Sequence, residues 1–177
     1  MIDETSIEKF NRLGNSIIYV ALLNDEEKLA FYEQVIRKQP VFAYEIILLN
    51  HLKVSYEKIE YVIDFLLILY DFFTDRGSIE LPTITSETVK AIKSNLIAFA
   101  GLLEKEDPQE SQYLFEKSFF AYPQAEAMRF YIGFFKSNGL IGGNSIDDDY
   151  CLTCAIIILD CFMRTIKKME EMEKSET

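Results

Sequence analysis

The chain has 177 residues, 49% of them hydrophobic, and 29 acids against 18 Lys and Arg give it a formal net charge of −11. Such a charge repels nucleic-acid phosphates and anionic membrane surfaces, and so high an apolar content excludes intrinsic disorder. A chain of this length buries roughly 70% of its unfolded surface, so one domain spanning 1–177 needs no disulfide or metal to fold.

Start and stop signals divide the chain into eight predicted helices. The first runs over about 6–23. Asn24 caps the second, with Glu27 placed to complete a capping box, and that helix ends near Lys38. Pro40 opens the third, where its missing N–H costs nothing, and the third reaches about Lys53. Ser55 is the expected cap of the fourth, which carries Ile59, Val62, Ile63, Leu66, Leu67, Leu69, Tyr70 and Phe73 and stops near Gly77. The stretch GSIELPTIT, with Pro82 and β-branched residues, is the clearest break. The fifth helix follows over about 86–105. Asp107, Pro108 and Glu110 then start the sixth, which ends before Pro123; the seventh ends at SNG, residues 137–139. Ser145 caps the eighth, Asp147, Asp148 and Asp149 complement its positive end, and it runs to roughly Glu173. No period-2 segment of useful length occurs, so the fold is read as all-α, with about eight antiparallel helices.

The halves 1–77 and 85–173 also align. Offset by 80, Thr5, Ser6, Asn15, Ile17, Leu22 and Leu23 meet identical residues; offset by 83, Glu27, Glu33, Pro40 and Lys53 do; offset by 90, Ser55, Ile68, Leu69 and Phe72 do. Either a four-helix unit is duplicated or apolar helices coincide by chance.

The first ten residues, MIDETSIEKF, are acidic where a secretory signal is basic. The longest uncharged apolar stretches, 65–70 and 151–159, fall short of the roughly 20 residues that span a bilayer. A soluble, cytoplasmic protein is expected. The three cysteines, an odd number in one segment, fit a reducing compartment better than a disulfide framework.

Around Pro123 the chain carries Ser111, Phe115 and Ser118 before the proline and AEAMRFYIGFFKSNG after it. Small-x3-aromatic-x2-small, a proline five residues on, then AEA, a mid-helix Gly and a closing Gly resemble the tetratricopeptide repeat. The resemblance covers residues 111–139. Gly133 falls one place late, the fifth helix lacks the aromatic and Gly signature, and unit lengths vary. The resemblance implies stacked antiparallel helix pairs with a concave face for peptides or partner helices. A compact helical bundle is the other arrangement consistent with these residues.

Chemistry-bearing motifs are sparse. The C-x2-C of DDDYCLTC has no second pair. Cys151, Cys154 and Cys161 share one helical face with apolar neighbours, so they read as core, and the Asp run reads as a complement to the helix end. His51 is the lone histidine, too few for a helical di-iron site and without a nucleophile motif; GLIGGN lacks the lysine of a phosphate loop. No cofactor, metal or catalytic residue is expected. Tyr113, Phe115, Phe119, Phe120, Tyr122, Phe130, Tyr131, Phe134 and Phe135 exceed what one stripe of a helix pair hides, so they occupy the centre of the fold, a self-association face or a partner site.

These readings favour a non-enzymatic helical module of adaptor, inhibitor or immunity type, binding another protein, a basic one or a second copy of itself, through its acidic surface. The alternative is a small-molecule sensor or carrier with an aromatic-lined pocket between helices. Candidate binding residues are Glu45, Asn50, His51, Arg129, Tyr131, Phe135 and Lys136, polar interruptions or aromatics on the third and seventh helices.

Overall fold

A computed structural model of the chain describes residues 4–107, 109–110, 125–143 and 145–175. Seven helices lie among them: α1 (Glu4–Leu22), α2 (Asp25–Lys38), α3 (Val41–His51), α4 (Tyr56–Thr74), α5 (Ser86–Leu103), α6 (Ala125–Ser137) and α7 (Ile146–Ser175), with no strand. At the predicted start of the sixth helix, Asp107 Oδ1 accepts the N–H groups of Gln109 and Glu110. Its remainder falls outside the described residues, as do Tyr113, Phe115, Phe119, Phe120 and Tyr122. No helix among the described residues is long and apolar enough to cross a membrane.

Local chemistry sets the boundaries. Asn24 and Glu27 form a reciprocal capping box, each side chain accepting the other's backbone N–H at 3.0 Å. Thr85 caps α5 through the N–H of Thr88, and Ser145 accepts the N–H of Asp147 at the start of α7. Ser55 holds the N-cap position of α4, yet its hydroxyl makes no capping bond. The end of α4 is held by the Asp75 N–H on the Asp71 carbonyl, after which Asp75, Arg76 and Gly77 all adopt positive φ (47°, 54° and 84°).

α4 departs most from its predicted pattern. Instead of one apolar stripe, every residue from Phe65 to Thr74 is buried. α1, α2, α3, α6 and α7 all pack on it, and α7 in turn receives α3, α5 and α6. Lys58 meets Asp148 near the start of both helices, and Phe73 stacks on Phe162 further along (centroids 5.4 Å apart), so α4 and α7 run parallel. The expected antiparallel order therefore does not extend to this central pair, whose members no short loop connects. Packing repeats on the two sides of it: α1 and α3 contact α4 as α5 and α6 contact α7, while α3 reaches across to α7 and α6 to α4.

Two aromatic clusters fill the interior. Phe65 lies 5.0–5.8 Å from the rings of Phe130, Tyr131, Phe134 and Phe135; Phe162 contacts Phe42, Tyr70 and Phe73. Gly143 keeps the loop before α7 against Asp148, since a Cβ there would sit 2.3 Å from Asp148 Oδ2 and displace the carboxylate from Lys58.

The connection from α4 to α5 is anchored by one buried amide. Gln39 donates from Nε2 to the Pro82 carbonyl (3.0 Å) and accepts the Ile84 N–H on Oε1 (2.7 Å), while Leu81 and Ile84 insert into the core. Gln39→Leu leaves both loop groups without a partner. It should cost about 1–3 kcal/mol in urea unfolding and abolish hydrogen-exchange protection of the Ile84 amide; unchanged protection would show that the loop is held by its apolar anchors alone.

Candidate functional site

α3 is apolar on every side, unlike a surface helix with one buried stripe. Its inner row, Phe42, Glu45, Ile46 and Leu49, is buried. Its outer row stays in water: Tyr44 is 73% exposed, Ile47 50% and Leu48 45%, with Leu52 beyond the helix end and Tyr56 (81%) opening α4. His51 is exposed and lies within this row, and apart from it the outer face of α3 carries no ionisable acid or base. Lys53, in the left-handed region at φ 62°, ends the helix, and the Val54 N–H returns to the Leu49 carbonyl. Glu57 and Glu60 are exposed just past Tyr56.

The inner row contains one charge. Lys93 Nζ of α5 bridges both carboxylate oxygens of Glu45, at 2.9 and 2.8 Å, with the carboxylate almost fully buried and the lysine about one-third exposed. The pair lies on the same buried row as Phe42, Ile46 and Leu49 and joins α3 to α5. Similar bridges join Lys28 to Asp64 and Lys58 to Asp148, both at 2.8 Å. The hydrogen bond to Asp148 raises the Lys58 pKa above its ordinary value.

The seven candidate residues divide among several environments. Glu45 is the buried partner of Lys93. Asn50 and His51 are exposed on α3, and Arg129 and Lys136 are exposed on α6. Tyr131 is half-buried and donates its hydroxyl to the Leu152 carbonyl at 3.1 Å; Phe135 is fully buried against Phe65. Only Asn50 and His51 border the exposed row. Tyr44, Ile47 and Leu48 were not singled out from the sequence, although VFAYEIILLNHL signals them by carrying more apolar residues than one stripe can bury. Lys93 gives no sequence signal, because its partner lies 48 positions away.

Cys151, Cys154 and Cys161 are buried and free. Burial pushes the Cys151 thiol up to about 11 and Cys161 to about 12, and raises Cys154 further still. Cys151 Sγ lies 3.8 Å from the Lys58 carbonyl, a weak S–H donation. Among the described residues no group of three or more His, Cys, Asp or Glu is placed to hold a metal ion. No protein-family model, no curated protein and no solved structure matches this chain.

Two outcomes follow from these charges. Lys93→Met leaves the Glu45 carboxylate buried without its cation and should cost about 1–3 kcal/mol, whereas Lys93→Met with Glu45→Met should recover most of that loss in thermal unfolding; equal losses would mean the pair does not position α3. For the thiols, the unfolded chain gives up its protons near 9.0 while folded Cys151 holds its own to about 11. The folded state therefore binds more protons in that window. The thiols' contribution to stability should be flat below pH 9 and fall as pH rises towards 11, and native protein should resist alkylation at neutral pH.

Proposed function

We propose that the chain is a non-enzymatic interaction module of the adaptor, inhibitor or immunity kind, which docks a basic amphipathic helix of another protein along α3. The observation that carries this reading is the row Tyr44, Ile47, Leu48 and Leu52, apolar side chains left in water on a helix whose other side is core. A partner helix with anchors at i, i+3, i+4 and i+7 would cover it, with Tyr44 and Tyr56 as amphipathic contacts at either end. α1 also exposes Ile7, Phe10, Ile18 and Leu22 along one face, with Asn11 among them, so it is a second exposed apolar row and a control surface for the same test.

The formal charge of −11, with Glu57 and Glu60 bordering the row, favours a basic partner and disfavours a second copy of the chain. In this reading the scaffold is a pair of related four-helix units, 1–77 and 85–173, stacked in the manner of tetratricopeptide hairpins. The offset of 90 that aligns Ile68, Leu69 and Phe72 with Ile158, Leu159 and Phe162 is also the offset between Lys58 and Asp148, which pair in space. The free cysteines fit a cytoplasmic setting.

The test is recovery of a binding partner from lysate of the native host by the wild-type chain, Tyr44→Ser and Ile47→Glu/Leu48→Glu. Salt should weaken the wild-type complex, and the double variant should lose about tenfold or more in affinity with an unchanged melting temperature. A partner held equally by all three proteins, or no partner at all, overturns the reading.

A further inference from the structure

A second feature lies away from α3. Between the N-terminal half of α1 and the end of α4 opens a cleft of about 540 Å³ lined by Glu8, Lys9, Asn11, Arg12, Asn15 and Asp75. That volume falls in the roughly 300–1,000 Å³ range of small-molecule sites, and every residue that lines it is polar or charged. Lys9 and Arg12 balance Glu8 and Asp75, so the cleft is formally neutral within a chain of charge −11. None of the four forms an ion pair with another described residue; the described bridges all lie elsewhere.

Two of these groups are held in place. The Arg12 guanidinium sits 4.8 Å above the buried Phe72 ring with its Nε buried. Asp75 is fixed by the left-handed backbone that ends α4, shared with Arg76, whose guanidinium lies 5.9 Å from the Tyr19 ring. Two successive non-glycine residues at positive φ store about 1–2 kcal/mol each, a strain that places Asp75 at the cleft.

The second half of the chain supplies an internal comparison. At the offset of 80, Lys9 falls on Val89 and Arg12 on Ile92, both buried in α5; at 90, Phe72 falls on Phe162 and Asp75 on Thr165. The positions that carry Lys9 and Arg12 in α1 thus carry buried aliphatic side chains in α5 at the offset of 80.

We infer that this cleft binds a small zwitterion of the short-peptide class, its carboxylate on Arg12 and Lys9, its ammonium on Asp75 and Glu8, and its amides on Asn11 and Asn15. Charge balance argues against the other classes. A phosphate would meet two carboxylates, a polyamine would meet two cations, and an apolar ligand would desolvate all four charges without compensation.

The experiment is amide-resolved NMR titration of the full chain with triglycine, N-acetyltriglycine and triglycinamide, which carry both charges, the carboxylate alone and the ammonium alone. Triglycine should shift amides of residues 8–15 and 75–77, and each blocked peptide should bind about tenfold or more weakly. Asp75→Asn, which retains a residue tolerant of positive φ, should remove the discrimination against N-acetyltriglycine, and Arg12→Gln should remove that against triglycinamide. Lys9→Gln gives the second of these tests again should Arg12→Gln fail to fold, and Glu8→Gln, an exposed change, repeats the first. No shifts at millimolar triglycine, equal binding of the three peptides, or shifts confined to other helices overturns the inference.

Discussion

The structure depends on the burial of α4. A ten-residue run, Phe65–Thr74, has no face in water, so neighbours must surround it on all sides. α7 provides the largest of these surfaces and runs parallel to it, joined by the Lys58–Asp148 bridge near one end and the Phe73–Phe162 stack further along. Apolar area removed from water is worth about 25 cal/mol per Å², and the fully buried Phe, Leu and Ile side chains of α4 and α7 make this seam the main source of stability. The buried charges are arranged around it. Asp148 and Glu45 each meet a lysine from another helix, so neither buried carboxylate is left without a cation.

That division of labour explains why α3 has two apolar rows. Its inner row closes the core over Phe162, through Phe42 at 5.2 Å. Its outer row is left exposed, and an exposed apolar row supports the reading of a docking face. The buried thiols fit the same account: protonated well above neutral pH, they behave as small core side chains.

Much of the fold was legible in the sequence because it is written in short-range chemistry. Asn24 with Glu27, Asp107 with Glu110, and Ser145 each announce a helix start within four residues of themselves, and each makes its capping bond. Ser55 occupies the correct position but leaves the bond unmade, a choice that a cap pattern cannot reveal. The missed features are those whose partners are distant. Gln39 reads as an ordinary polar residue after a helix until Pro82 and Ile84 meet it. Arg12 reads as a surface residue until Phe72 lies beneath it, and Asp75 until its backbone turns left-handed. The candidate residues failed to converge for the same reason. Which rows α3 and α6 present is set by long-range packing, with Phe42 and Leu49 buried on one and Phe135 on the other.

The parallel seam also bears on biosynthesis. α4 leaves the ribosome complete well before α7, which follows it only after α5, α6 and their connections have been made. For that interval α1, α2 and α3 can cover only part of its circumference, and the surface meant for Ile158 and Phe162 waits in water. A nascent chain halted between the two helices would present that surface to holdase chaperones or to the matching helix of another stalled chain. Synthesis rate through the second half therefore bears on yield as much as the stability of the finished protein does.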